Sequence, residues 1–64
     1  MRRWKVYMQM SDGSWQWLAH GPLAQGNLDI ALKGYKSRHA AETDKRWYRR
    51  TYTHVVFQVF ETTE

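Results

Sequence analysis

The sequence predicts an α+β domain of order β-β-β-α-β, a single antiparallel sheet with one helix packed on one face. Three observations carry that expectation. Apolar and polar residues alternate over 4–10 and again over 14–20, on either side of Asp12-Gly13, which is the pattern of a hairpin. Ser37 stands before an amphipathic stretch as a helix start signal. A strongly β-forming run over 52–60 follows that stretch. The 64 residues are short for more than one domain. With no cysteine, neither a disulfide nor a thiolate zinc site can staple them.

Each element has its local reason. In the first strand, 4–10, Trp4, Val6, Met8 and Met10 face one way and Lys5, Tyr7 and Gln9 the other. Asp-Gly accepts the positive φ that tight turns need. The second strand, 14–20, places Trp15, Trp17 and Ala19 on one face and Leu18 and His20 on the other. Residues 21–27 are rich in breakers and form a loop. Leu28, Ile30 and Leu32 alternate with Asp29, Ala31 and Lys33, which reads as a third strand over 28–33, broken by Gly34-Tyr35. The helix spans about 38–50. Its N-cap is Ser37, its sheet side holds Ala40, Ala41, Thr43, Trp47 and Tyr48 with Asp44 at the margin, and Arg49 and Arg50 sit in its last turn. Residues 52–60 carry apolar groups on both faces, so that strand is expected to be central or covered by a partner, with 61–64 frayed.

Two families share local motifs with this chain. Asp12-Gly13-x-Trp15-x-Trp17 followed by Gly34-Tyr35-x-Ser37 and Ala40-Ala41 resembles the YegP-like small domain of unknown function. That resemblance implies a ββαβ-type module with a tendency to dimerise, and no mechanism. Gln16 stands where that family has arginine. Gly13-Ser14-Trp15 and Gly34-Tyr35-x-Ser37-x-x-Ala40-Ala41 are also similar to the three-stranded DNA-binding domains of tyrosine recombinase N-termini and AP2-type regulators. Those domains read the major groove with arginines on their strands. Here strand two has no Lys or Arg, and strand one has only Lys5.

Ten Lys and Arg against six Asp and Glu give a net charge of +4, and the cations are unevenly spread. Lys36, Arg38, Lys45, Arg46, Arg49 and Arg50 cluster in and beside the helix, with Arg2 and Arg3 able to extend the patch. Such a stripe displaces counterions from phosphates, or is simply a solvated helix face. Trp15 and Trp17, with Trp4, are expected to form the core beneath Ala40, Ala41 and Trp47. The other reading of these rings is a base-stacking platform. Tyr7, Leu18, Val56 and Phe60 then fall on the outer sheet face, as a homodimer or partner surface.

No catalytic, metal or cofactor motif is present: His20, His39 and His54 are widely spaced, and no phosphate loop or nucleophile elbow occurs. No apolar run is long enough for a membrane span. The sequence therefore points to a small, non-enzymatic, cytoplasmic interaction protein. Its leading partner is nucleic acid bound through phosphates by the basic helix. The alternative is a protein-binding regulator or inhibitor, of the phage or bacterial accessory kind, acting through its sheet face or edge strand.

Overall fold

Hydrogen bonding between alternating segments builds the sheet first. The computed structural model, which describes residues 2–63, has five elements: β1 (Arg2–Gln9), β2 (Trp15–Leu18), α1 (Leu28–Lys33), α2 (Arg38–Thr51) and β3 (Phe57–Thr63). The three strands form one antiparallel sheet in the order β2-β1-β3. The α+β layout and the hairpin stand as the sequence implies. In the turn, the Asp12 carboxylate accepts from the Ser14 backbone N–H and hydroxyl, and Met10 N–H donates to Ser14 O at 2.7 Å. β1 therefore starts earlier than expected and stops before Met10.

Residues 28–33 are helical rather than the expected third strand. Asn27 caps α1 by accepting from Ile30 N–H, Asp29 lies in the first turn and Lys33 in the last, each the residue type that helix end favours. Over six residues, apolar alternation does not distinguish a strand from one and a half helical turns. Leu28 and Leu32 remain 77% and 70% exposed, so α1 is held chiefly by its ends and by Ile30, which packs on the core.

The second difference is at the other end of the chain. α2 runs to Thr51, and Tyr52 caps it through its N–H to Tyr48 O at 2.8 Å. Pairing with β1 begins only at Phe57. β3 is an edge strand and not a central one, since β1 lies in the middle. It continues through Glu61, Thr62 and Thr63, so the expected fraying applies to none of these; Glu64 lies outside the described residues.

β2 pairs with Val6 to Gln9 only. Tyr35 takes the vacated stretch of that edge, exchanging two hydrogen bonds with Trp4 at 3.0 and 2.6 Å. Gly34 makes this approach feasible: its φ is +95°, and a Cβ there would lie 2.7 Å from Trp4 O.

Tyr35 reaches inward to Asp44, placed at the margin from sequence but fully buried. Its Oδ2 accepts from Tyr35 Oη at 2.5 Å and its Oδ1 from Leu23 N–H at 3.2 Å. Tyr48 Oη accepts from His20 N–H at 2.6 Å. Two side chains of α2 thus satisfy polar groups of the 20–23 loop and of Tyr35, which a dry interior requires. Gly21 lies so close to Asp44 that any Cβ would collide with its carboxylate. Around this polar hub pack Val6, Ala24, Ala41, Tyr48 and Phe57, with Tyr48 stacked on Phe57 at 5.4 Å.

Two predictions follow from the hub. Asp44→Ala leaves the Tyr35 hydroxyl and Leu23 N–H without an acceptor. At about 1–3 kcal/mol per orphaned buried group, it should remove most of the roughly 3–10 kcal/mol expected of such a chain. Urea titration of the variant should show a collapsed midpoint, and a wild-type midpoint would refute the hub's role.

Burial, and for Tyr35 also the Asp44 hydrogen bond, pushes the Tyr35 and Tyr48 hydroxyls above the ordinary tyrosine value of 10.0. Folded-state values raised in this way leave stability intact below pH 10 or so, and it is lost as pH climbs above that, because the unfolded tyrosines ionise first. Stability measured across the alkaline range should be flat and then fall, and the fall should be shallower in Tyr35→Phe.

Candidate interaction surface

Strand register decides which rings the helix covers. Val6 pairs with Leu18 and Val59, and Met8 with Gln16 and Phe57, so these side chains share the face on which α2 packs. Tyr7 pairs with Trp17 and Gln58, and Lys5 with Phe60, so these occupy the opposite, open face. Trp15 and Trp17 are thus not the core beneath the helix, as expected. The turn sets β2 in the register that turns both outward, and Leu18 takes the inward place.

On the open face Tyr7, Trp15 and Phe60 form one cluster. Phe60 meets Tyr7 at 5.3 Å and Trp15 at 5.5 Å, both edge to face, the arrangement that ring quadrupoles favour. Lys5 Nζ lies 4.2 Å from the Trp17 ring centre, a cation–π contact. Trp15 is 39% exposed and Phe60 42%, while Tyr7, Lys5 and Trp17 are half-buried. Trp17 Nε1 is covered without an acceptor. Gln9 and Gln58 add exposed amides to the same side.

Of the four residues expected on an outer partner face, Tyr7 and Phe60 are there and touch. Leu18 lies on the helix side, packed against the core. Val56 is exposed just ahead of β3, its carbonyl accepting from Gln9 N–H at 2.9 Å. His20, also expected outside, is exposed beside Tyr48 on the helix side.

The basic residues divide into tied and untied groups. Arg3 is only 5% exposed. Its Nη1 donates to Asp29 Oδ2 at 2.9 Å and to Gly34 O at 3.1 Å. It anchors α1 and cannot extend a surface patch, a correction that follows from α1's unforeseen helical geometry. The same hydrogen bond holds the Asp29 carboxyl below the usual carboxylate range. Arg2 pairs loosely with Glu61 at 3.5 Å. Arg38 and Lys45 both reach Glu42, at 3.7 and 3.1 Å. Arg46, Arg49 and Arg50 are exposed and have no carboxylate within ion-pair distance among the described residues. Lys36 borders a depression shared with Arg3 and Asp29.

The aromatic cluster thus belongs to the open side of the sheet and the free arginines to α2, with Arg49 bordering a depression at the β3 edge beside Val56 and Gln58. Among the described residues no group of three or more His, Asp or Glu side chains converges, and no helix is long and apolar enough to cross a membrane. No family model, curated protein or solved structure matches the chain.

The two faces should respond differently to truncation. Phe57→Ala removes a buried, stacked ring and should cost about 3–5 kcal/mol. Trp15→Ala and Phe60→Ala remove partly solvated rings and should each cost roughly 1–2 kcal/mol. Thermal melts of the three variants check this ordering, and a Trp15 loss equal to that of Phe57 would put Trp15 in the core.

Proposed function

We propose that this protein binds single-stranded nucleic acid on the open face of its sheet. Bases stack on Tyr7, Trp15 and Phe60, while Lys5 meets the phosphates. The observation that supports this reading is the uncovered ring cluster with a cation beside it, Lys5 over the neighbouring Trp17 ring. Aromatic platforms beside positive charge accept bases of any sequence, because every base has a π-face. The net charge of +4 favours a polyanion as partner. Duplex readout fits less well: the open face of β1 and β2 offers Lys5 and no arginine fork for guanine edges.

The resemblance to sheet-based DNA-binding domains is compatible with this reading in its surface, though not in its chemistry. A second copy of this chain is the competing occupant. Two-fold pairing of the open faces would take a Lys5 from each copy out of water, which costs energy unless a counter-charge is present.

The basic-helix reading has one observation in its favour, the three untied arginines. It predicts a different set of sensitive residues, so one experiment separates the two. Fluorescence titration with a thymidine oligonucleotide should quench tryptophan emission. Trp15→Ala should weaken binding roughly five- to hundredfold, from about 1–3 kcal/mol per stacked base. The salt dependence should be shallow, with a slope near −1, since only one or two phosphates meet cations. Arg46→Glu with Arg49→Glu should change affinity much less. A steep salt slope with loss in the arginine variant would transfer binding to the helix. No quenching at micromolar protein, together with sedimentation as a dimer, would assign the face to a second copy.

A further inference from the structure

The helix side of the molecule carries a second, chemically different surface. At the C-terminal half of α2, Met8, Leu18, His20, Trp47, Tyr48 and Tyr52 line a groove of about 310 Å³. It lies between the inward-facing Met8 and Leu18 of the sheet and the last turns of α2, which ends at Thr51. No side chain fills the corner between them. The lining is almost wholly apolar, and the Tyr48 hydroxyl within it is already engaged by His20 N–H. Trp47 is 39% exposed and forms the ridge of the groove. Across that ridge lies a second depression, bordered by Pro22, Leu23, Arg46 and Arg50. Asp44, the acidic side chain in that depression, is buried and turned to Tyr35 and Leu23, and among the described residues neither guanidinium has a carboxylate within ion-pair distance.

We infer that this paired surface docks an acidic peptide segment of a partner protein, one apolar side chain entering the Trp47–Tyr52 groove and neighbouring carboxylates meeting Arg46 and Arg50. Charge complementarity selects this occupant. A second copy would bring its own +4 charge against these arginines. A nucleobase would satisfy the arginines through its phosphate but would set its polar ring edges against a mostly apolar lining in which the His20 ring and the Tyr52 hydroxyl are the few polar groups on offer, and unpaired polar edges are costly there. A carboxylate-rich segment with one Phe or Leu satisfies both halves: the apolar anchor supplies the burial, and the flanking acids pair with planar guanidinium forks.

The test is an NMR titration of the isotope-labelled chain with a short synthetic peptide of Asp and Glu around a single Phe. Controls are the same peptide with Ser in place of Phe, and a thymidine oligonucleotide. Resonances of Trp47, Met8 and Leu18 should shift with the Phe peptide, and affinity should fall roughly tenfold or more with the Ser peptide. Trp47→Ala also removes a ring packed on Tyr48 and so confounds folding with binding; the decisive variant is Arg46→Glu with Arg50→Glu, two exposed positions. It should keep its melting temperature within a few degrees and lose roughly tenfold in affinity. Equal binding of the Ser and Phe peptides, or shifts confined to Tyr7, Trp15 and Phe60, would overturn the inference. Equal perturbation of Trp47 by the oligonucleotide would also overturn it and assign the groove to nucleic acid. Failure of oligonucleotide binding at the sheet face leaves these outcomes unchanged, because the two surfaces share no residue.

Discussion

One long helix can cover only one face of a three-stranded sheet, and the rest of this molecule follows from which face it covers. The choice is made by the Asp44 contacts. A buried carboxylate on α2 must find donors, and it finds them in Tyr35, itself bonded to the Trp4 backbone, and in the Leu23 amide. That chain of hydrogen bonds ties helix, loop and central strand together and holds α2 over Val6 and Phe57. Lys5 and Tyr7 of β1, Trp15 and Trp17 of β2 and Phe60 of β3 are then left on the uncovered face. In a domain this small, burial per residue is poor, so the aromatic residues outside are large apolar area left in water. Such a patch is the kind of surface that marks an interaction site.

The layout was legible where local chemistry was decisive. The Asp12-Gly13 turn flanked by alternation located the hairpin, and the Ser37 cap with small residues at Ala40 and Ala41 located α2. Most of the sites where reading failed share a physical cause, deciding information that lies far along the chain, while residues 28–33 carried a local signal, the Asn27 cap, that the alternation masked. Leu28, Ile30 and Leu32 suit strand or helix, and only the Asn27 cap and the Arg3 ion pair to Asp29 settle the helix. Asp44 looked marginal because its donors sit 9 and 21 residues away. Trp15 and Trp17 depend on register, and a single-residue shift in the turn exchanges the two faces of β2 entirely. Once that register is known, the candidate surface can be read almost directly, since Tyr7 and Phe60 had already been placed outside by alternation. The Trp47 groove had no sequence signal, because it is assembled from β1, β2, the following loop and the end of α2.

The division of labour has an energetic logic. Stability resides in the Asp44 hub and the stacked pair Tyr48–Phe57. The open face contributes edge contacts that can be altered without unfolding the chain. The untied arginines of α2 make no ion pair with the hub. A molecule with its polar hub buried and its rings and cations outside can vary its surfaces independently of its fold.

The central claim is that Trp15, Tyr7 and Phe60 lie on the uncovered face while Tyr35, Tyr48 and Phe57 lie beneath α2. Hydroxyl-radical footprinting of the dilute native chain, read residue by residue by mass spectrometry, measures this directly. The account predicts rapid oxidation at Trp15, Tyr7 and Phe60 and protection at Tyr35, Tyr48 and Phe57 until the chain is unfolded. Protection of Trp15 together with oxidation of Phe57 would mean that the helix covers the other face, and would contradict the structure's assignment of both surfaces.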